Sequence, residues 1–252
     1  MSSSSKVFAI LGLFTQERPV WQPDEINEAL GYTRPTGYRY VKELVEAGML
    51  HKISAGHYAL GGRIIELDYQ LRQTDPVLLA SVPAMMAVAK RSGYDLVLSV
   101  LYAGPRVIDI YRASGAEKLE LTYGRGRPRP MFRSGAPKVL LAWMERGPLV
   151  KIHEQLSEDI AANGMGRNWS EFRAYLTDIR RRGFYRSLGE LQPGVGAMAV
   201  PVFNADEDCV GALAIVGSAA RIAEEPEARL LKWLTTATTD IQARLRDTQG
   251  NH

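Results

Sequence analysis

The sequence has 252 residues, of which 46% are hydrophobic and 23% are charged. These fractions are typical of globular proteins and exclude a disordered, collagen-like or low-complexity chain. The length predicts one large domain or two ordinary ones, with enough core to fold without disulfides. The net charge of +3 is too small to demand or to exclude a nucleic acid, so the position of the charges matters more than their sum.

The cysteine content and the hydropathy favour a reducing, cytoplasmic setting. The one cysteine, Cys209, cannot form an intrachain disulfide and cannot by itself hold zinc or an iron–sulfur cluster. The sequence has no apolar run of about 18 residues, which a membrane-spanning helix requires. The serine-rich start is followed by an apolar stretch that is too short and polar for a signal peptide. We therefore expect no membrane partner.

Short helices separated by brief turns are predicted for residues 1–62. Apolar residues at helical spacing, Pro23 at a first helical position, Thr33 as an N-cap and Gly48 as a terminator set the boundaries. The predicted elements are helices over Val7–Phe14, Pro23–Leu30 and 33–46, then a hairpin of Leu50–Ile53 with His57–Leu60. This order is typical of a winged helix–turn–helix domain.

The third helix is the candidate for reading DNA in the major groove. Its inner face carries Val41 and Leu44, and its outer face carries Thr36, Arg39 and Glu43. Arg39 is the candidate for reading guanine, because its forked guanidinium matches two acceptors on that base. The residues predicted to contact bases or phosphates are Arg34, Thr36, Arg39 and Tyr40 on the helix and Lys52 and His57 on the hairpin.

A second interpretation of this segment stays open on pattern alone. Between Arg34 and Arg63, five basic and two acidic side chains give a local net charge of +3, which supports DNA binding only modestly. Helix–turn–helix geometry is common and degenerate in sequence. The alternative is a small-molecule sensor or adaptor whose N-terminal domain docks another protein through a solvated charged face.

A connector helix over Arg63–Arg72, ended by Asp75-Pro76, is predicted to join the first domain to a larger one. The linker then covers residues 63–76 and the larger domain 77–252. The predicted elements of the larger domain are helices over Val77–Arg91, Ala136–Glu145, Leu149–Ala162, Ser170–Arg182 and Glu224–Arg246, and strands over Leu96–Tyr102, Val107–Tyr111, Leu119–Tyr123, Ala197–Phe203 and Val210–Val216. Runs of strands beside separate runs of helices indicate an α+β fold with an antiparallel sheet.

Residues that could form a catalytic centre are missing from the sequence of the larger domain. A nucleophile needs a nearby histidine and an orienting acid, but His153 lies on an amphipathic helix as a packing or surface residue. The acidic residues 206–208 disfavour a thiolate at Cys209. The glycines at 124 and 126 lack the lysine and hydroxyl of a phosphate-binding loop. We predict no enzymatic activity, no metal site and no cofactor.

Motifs along nearly the whole chain resemble one family of transcription factors. In chain order they are Lys6–Leu11, Ala29–Val41, Tyr58–Gly61, Pro130–Ala142, Arg182–Phe184, Gly189-Glu190, Gly194-Val195, Ala199–Phe203 and Gly211–Gly217. The sequence resembles the isocitrate-lyase-regulator (IclR) family. That resemblance implies a winged helix–turn–helix, a linker helix and an effector-binding domain related to the GAF fold. The chain departs from the family at Pro35 and Gly37, where serine and alanine are usual, and at Pro137, where glycine is common.

The resemblance also implies a pocket for a small-molecule effector. Aligning the motifs places Arg129, Gly135, Ala136, Ser187, Ala197, Ala214 and Val216 around it. Family members that recognise two- or three-carbon acids tend to have hydroxyl side chains on the last strand, where this chain has Ala214 and Val216. We therefore expect a larger or more apolar effector, such as an aromatic or branched carboxylic acid.

Arg129 is the residue of this set predicted to pair with an effector carboxylate. It belongs to a cluster of four arginines within nine residues, together with Arg125, Arg127 and Arg133. The alternative for the group is a solvated loop that prolines keep extended. At the start of the helix that carries Gly135 and Ala136, free N–H groups are expected to bind a carboxylate as well.

The mechanism implied by these features is that of a repressor, by analogy with the family, whose partners are double-stranded operator DNA and an effector. A homodimer or a dimer of dimers would place paired recognition helices on half-sites about 34–36 Å apart or at multiples of that spacing. Effector binding is expected to change how the larger domains of the oligomer are arranged, and the connector helix transmits that change to the DNA-binding domains. The effector can favour one arrangement only to the extent that it binds that arrangement more tightly than the other.

Overall fold

The computed structural model describes residues 3–102 and 104–249. Within that range the chain divides into two compact units, one ending at Thr74 and the other beginning at Asp75. The elements of the first unit are α1 (Ser3–Leu11), α2 (Pro23–Leu30), α3 (Arg34–Glu46), β1 (Leu50–Ser54), β2 (His57–Leu60) and α4 (Arg63–Thr74). None of the described helices is both long and apolar enough to span a bilayer.

The core of the first unit forms where α1, α2, α3 and β1 meet. Each element contributes an apolar side chain that is almost fully buried, such as Ile10, Ile26, Leu44 and Leu50. Trp21, in the segment before α2, pairs antiparallel with Tyr58 of β2, so that a short bridge joins the hairpin to the helices. Burial of these side chains holds α3 in place and leaves its opposite face in solvent.

The α2–α3 contact explains why α3 has a glycine at position 37. A β-carbon added to Gly37 would lie 1.5 Å from Oδ1 of Asn27 on α2. The side chain of Asn27 is buried and its amide atoms have no hydrogen-bond partner within the described residues. Gly37 and Asn27 are therefore a matched pair in which the amide fills the space that a larger residue on α3 would occupy.

The second unit contains helices and strands in an α+β arrangement. Its elements are α5 (Pro76–Ser92), β3 (Asp95–Tyr102), β4 (Arg106–Ala113), β5 (Pro128–Arg129), α6 (Gly135–Ala142), α7 (Arg146–Ala162), α8 (Trp169–Arg182), β6 (Tyr185–Leu188), β7 (Val195–Phe203), β8 (Cys209–Ser218), α9 (Ala219–Glu224) and α10 (Glu227–Gln249). In the described part of the chain the strands form one six-stranded antiparallel sheet in the order β5-β4-β3-β8-β7-β6.

The sheet has an apolar core on each face, as alternation along its central strands requires. On one face, Leu96 of β3 and Ile215 of β8 belong to the core that includes α5 and α10. On the other face, Val97 and the small residues Ala199 and Ala214 belong to the core that includes α6 and α8. The small residues let the start of α6 approach the sheet closely: a β-carbon on Gly135 would lie 3.0 Å from Cβ of Ala199.

Several predicted boundaries differ from the structure. The predicted strand Leu119–Tyr123 is wrong, because this segment is irregular, and the strand that pairs with β4 is β5. The edge strand β6 was not predicted from the sequence. The predicted terminal helix is two helices, because Pro226 holds Glu225 in an extended conformation between α9 and α10. The first helix begins at Ser3, earlier than its predicted start.

Candidate DNA-binding face and effector pocket

The outer face of α3 presents most of the side chains predicted to contact DNA. Thr36 and Lys52 of β1 are exposed, and the side chains of Arg34 and Arg39 are 75% and 61% exposed. Arg34 lies 3.4 Å from an oxygen of Asp24, and Arg39 lies 3.7 Å from an oxygen of Glu43. Solvent-exposed ion pairs of this kind are weak, so DNA phosphates could replace these carboxylates at little cost.

The prediction for Tyr40 is wrong. Its side chain belongs to the core of the first unit, the residue is 4% exposed, and its hydroxyl lies 3.0 Å from Oγ of Ser3 on α1. The ring also meets that of Tyr32 edge-on, with centroids 6.0 Å apart. Tyr40 therefore belongs to the inner side of α3, because its ring packs against Tyr32 although it lies about 100° from Val41 around the helix.

His57 makes several contacts within the first unit. Its Nε2 lies 3.0 Å from the side-chain nitrogen of Gln22, and its Nδ1 lies 3.1 Å from the carbonyl oxygen of Ala55 and 3.2 Å from Oγ of Ser54. These contacts engage each ring nitrogen inside the described hairpin and its neighbour. The half-buried ring therefore helps to hold the hairpin, and its contact with a phosphate stays a prediction.

Tyr38 is a candidate contact that sequence reasoning missed. It is 41% exposed, and the guanidinium of Arg34 lies 5.4 Å from the centre of its ring. On the helical wheel it lies at the edge of the inner face, so periodicity did not place it among the outward residues. Its exposure beside an arginine adds an aromatic surface to the DNA-binding candidates of α3.

In the second unit, the seven residues that the family resemblance assigned to an effector pocket line one cavity between the sheet and the start of α6. They are Arg129 of β5, Gly135 and Ala136 of α6, Ser187 of β6, Ala197 of β7, and Ala214 and Val216 of β8. The space in the cavity that a water-sized molecule can occupy is about 30 Å³, so an aromatic acid would need the lining side chains to move apart. The structure therefore brings the predicted residues together around one cavity, and their contact with an effector stays a prediction.

The described lining also includes residues that the prediction omitted. They are Leu121, Tyr123, Ser134, Glu190, Leu191, Gln192, Val195 and Gly196. Gln192 connects two of the lining segments: its side chain accepts from the N–H of Thr122 at 2.8 Å and donates to the carbonyl of Glu120 at 2.9 Å. The hydrogen bonds of Gln192 could not be predicted, because their partners lie about 70 residues earlier in the sequence. The neighbouring Gly189-Glu190 was recognised only as a family motif.

Arg129 is buried, unlike an arginine in a solvated loop. Its side chain is 9% exposed, and its Nε lies 3.1 Å from Oδ2 of Asp109, which is 3% exposed. Ser99 donates a hydrogen bond to the other oxygen of Asp109 at 2.7 Å. Burial raises the pKa of Asp109, while Arg129 and then Ser99 oppose that rise. The cation proposed for the effector is therefore already paired with a carboxylate of the protein.

The other arginines of the cluster have structural contacts. Arg125 donates to the carbonyl of Ile110, and Arg127 donates to the carbonyl of Thr122. Arg133 is exposed and lies 3.3 Å from the side-chain oxygen of Asn163. Of the four, Arg129 is the one that lines the described cavity.

A second carboxylate of the protein occupies the start of α6. Glu190 accepts from the N–H of Ser134 at 3.0 Å, from Nζ of Lys138 at 2.7 Å and from the hydroxyl of Tyr185 at 2.9 Å. The Lys138 side chain is 4% exposed and that of Glu190 27%. Burial, with Tyr175 and Glu190 nearby, raises the pKa of Tyr185 far above its ordinary value. The helix start therefore already binds an anion, which the prediction of free N–H groups overlooked.

The residues that sequence reasoning excluded from catalysis have ordinary structural surroundings. His153 packs against Trp169 and Phe172, with ring centroids 5.5 Å and 5.8 Å away. Burial raises the pKa of the Cys209 thiol to about 11. Within the described residues no group of three or more histidine, cysteine, aspartate or glutamate side chains could hold a metal ion.

Two family models match the chain. The model described as the IclR helix-turn-helix domain matches residues 3–54, and the model described as the bacterial transcriptional regulator IclR C-terminal domain matches residues 71–243. The second match alone covers more than half of the sequence. The first match lies within the first unit, and the second match begins four residues before the second unit and covers most of it.

Curated relatives match over nearly their full length. The HTH-type transcriptional regulator KdgR of Escherichia coli is 23% identical over 97% of this chain and 93% of the relative. The HTH-type transcriptional regulator RhmR of the same organism is 28% identical over 89% of this chain and 88% of the relative.

Solved structures show the same fold. An IclR transcriptional regulator from Silicibacter has a TM-score of 0.79 at 22% identity and covers 97% of this chain and 96% of its own. An IclR homologue from Microbacterium hydrocarbonoxydans, solved in complex with 4-hydroxybenzoate, has a TM-score of 0.74 at 22% identity and covers 98% of this chain and 100% of its own.

Proposed function

Because the chain belongs to the IclR family of bacterial transcriptional regulators, we propose that it represses genes by binding double-stranded operator DNA. A small carboxylic or aromatic acid in the effector pocket controls that repression. The observation that carries the DNA-binding part is the exposed side chain of Arg39 on a helix whose opposite face is fixed in a core. A helix held in this way can enter a major groove without rearranging.

The surroundings of Arg39 support a role in reading bases. Arg34 and Thr36 lie in the first turns of α3, where a recognition helix comes closest to the DNA, and Lys52 lies on the hairpin that would touch the adjacent backbone. Weak surface pairs hold the two arginines, so phosphates and base edges compete successfully for them.

The DNA-binding proposal is tested by titrating a fluorescent duplex. The wild-type protein should bind a random duplex weakly and lose affinity steeply as salt rises, since bound phosphates release counterions. On a duplex enriched by selection from random sequences, Arg39→Ala should weaken binding roughly tenfold or more. Arg181→Ala, which removes an exposed arginine of α8, serves as the matched control. Equal affinities of the two variants would reject Arg39 as a base reader.

We propose that the regulator acts as a dimer or a dimer of dimers. Helix α4 buries none of its residues within the described chain, and Ile65 and Tyr69, one turn apart, are 75% and 65% exposed. An apolar helix face of this kind favours pairing with a second copy about a two-fold axis. Paired α3 helices would then contact two half-sites of one operator.

Light scattering on a sizing column over a range of protein concentrations tests the role of α4. Ile65→Glu should shift the protein toward monomer, because it places a charge in the apolar face. Gln70→Glu adds the same charge on another side of α4 and should leave the oligomer unchanged. An unchanged mass for Ile65→Glu at the lowest concentration would remove α4 from the interface.

The effector proposal rests on the lining of the cavity. Ala197, Ala214 and Val216 present apolar strand surface, while Arg129 brings a guanidinium to the same space. This combination suits a molecule with an apolar body and one acidic group. The structural neighbour solved with 4-hydroxybenzoate is consistent with that class.

A thermal-shift panel of small carboxylic and aromatic acids tests the effector class. Acids that bind should raise the melting temperature of the wild type, since a ligand that binds the folded state stabilises it. Arg129→Met should lose that rise, whereas Arg133→Met, in the same segment but exposed, should keep it. A rise of equal size in Arg129→Met would show that the ligand is held elsewhere.

A further inference from the structure

We infer that Asp109 selects the charge of the effector: a carboxylate that engages Arg129 takes the place of Asp109 in its ion pair, and Asp109 then takes up a proton from water. This inference rests on the proposed effector pocket and deepens it. It predicts that binding of an anionic ligand is coupled to the uptake of one proton by Asp109, whereas binding of a neutral ligand of the same shape is not.

The geometry places Arg129 both at the cavity and against one buried carboxylate. The residue lines the cavity, and Oδ2 of Asp109 lies 3.1 Å from its Nε. Both side chains are buried, so solvent screens their attraction little. A ligand carboxylate in the cavity therefore competes with Asp109 for one guanidinium.

Asp109 cannot follow Arg129 or withdraw into water. It lies on β4, where Ser99 of β3 is its cross-strand partner and Val107, two residues earlier, pairs with Arg129 of β5. The strands on both sides fix its backbone. A buried carboxylate that loses its cation to another anion has a high free energy when it is ionised. Such a group binds a proton instead.

The other groups around Asp109 offer limited compensation. The hydroxyl of Ser99 donates to one carboxylate oxygen and carries no charge. Arg125 forms a backbone bridge with Asp109, and its guanidinium donates to the carbonyl of Ile110. Lys138, on α6 over the same face of the sheet, is bound to Glu190. Burial already raises the pKa of Asp109 while Arg129 is paired with it, so loss of that pairing raises it further.

The sign of the pH dependence follows from this exchange. Where Asp109 is ionised in the free protein and protonated in the complex, binding takes up one proton, so carboxylate affinity rises as the pH falls. Complete uptake corresponds to a change of about tenfold per pH unit. A neutral analogue leaves the pair intact and should show no such slope.

Calorimetric titration with 4-hydroxybenzoate and the neutral 4-hydroxybenzamide tests the inference between about pH 6 and about pH 8, where ordinary carboxylic acids are fully ionised. The benzoate should bind wild type more tightly at lower pH, and the amide should not. Asp109→Asn should bind the benzoate roughly tenfold more tightly or better, without the pH slope, because Arg129 is no longer neutralised. Asp109→Asn/Arg129→Met should lose this gain. Asp178→Asn, which removes a carboxylate from an arginine pair on α8, is the matched control.

The outcomes separate this inference from the effector proposal. If wild type binds neither probe but Asp109→Asn binds the benzoate, Asp109 does compete with a carboxylate for Arg129, and 4-hydroxybenzoate itself is rejected as the effector. If folded Asp109→Asn binds the benzoate no better than wild type does, the inference is overturned. Should that variant not fold, wild-type titrations in two buffers of different ionisation enthalpy replace it, and equal heats with the benzoate would exclude proton uptake.

Discussion

The DNA-binding face and the effector pocket use pairs of a basic side chain and a carboxylate in opposite ways. On α3, the Arg39–Glu43 pair is exposed and its atoms are 3.7 Å apart. In the pocket, the Arg129–Asp109 and Lys138–Glu190 pairs are largely buried and at 3.1 Å and 2.7 Å. Exposed pairs contribute little to stability and exchange partners readily, whereas a broken buried pair leaves a costly charge. The first surface is therefore suited to meeting many phosphates, and the second to one matched ligand.

The largest expected effect is on the buried pair at the start of α6. Glu190→Ala should lower the free energy of unfolding by about 3 kcal/mol, because it leaves the ammonium of Lys138 buried without its carboxylate. Chemical denaturation of the purified protein measures this loss. Glu43→Ala, which breaks the exposed pair on α3, is the control and should change stability by less than about 1 kcal/mol. Similar losses in both variants would remove the distinction between the two regions.

A smaller effect is expected from the contact behind the DNA-binding face. Gly37→Ala should destabilise the protein by about 1–3 kcal/mol, because the new β-carbon would clash with the side chain of Asn27. Asn27→Ala/Gly37→Ala should recover this loss, since it removes the clash and a buried amide without a hydrogen-bond partner among the described residues. Denaturation of both single variants and the double variant measures the coupling. Additive effects would contradict the proposed matching of these residues.

The smallest expected effect sharpens the contrast on the exposed side. Glu43→Gln should change stability by less than about 0.5 kcal/mol. It should nevertheless tighten binding to a random duplex by a few fold, because it removes a negative charge beside Arg39 from a surface that meets phosphates. Anisotropy titrations at low and high salt measure the change. Glu46→Gln, the partner of Lys42 one turn further along α3, tests how quickly the effect falls with position.

Local sequence patterns predicted the helices and strands whose apolar residues recur at regular spacing. Helix α3, the hairpin β1–β2 and the strands β7 and β8 were found within a few residues of their observed ends, because their apolar residues recur with the period of the element. The two-residue strand β5 and the edge strand β6 have no comparable period. They form by pairing with the outer strands of the sheet, so they depend on the tertiary structure.

The site was predicted in part. The pocket residues were found through motif resemblance, and the structure places them around one cavity. The wrong prediction for Tyr40 arose because an aromatic residue beside Val41 can turn either way on a helix, and the burial of its ring against Tyr32 decides the direction. The partners of Arg129 and Lys138 could not be predicted, because Asp109 and Glu190 lie 20 and 52 residues away in the sequence.

The sequence by itself determined the family, the order of most helices and strands, and seven of the residues that line the cavity. Motifs and apolar periods are local, so a single chain displays them without a structure. Only the tertiary structure decided which charges meet. Arg129 faces both the cavity and Asp109, and Glu190 closes on the start of α6, because the sheet brings distant segments within a few ångströms of one another in a dry interior. In that interior, the partner of each buried charge determines which ligand charge the proposed pocket accepts.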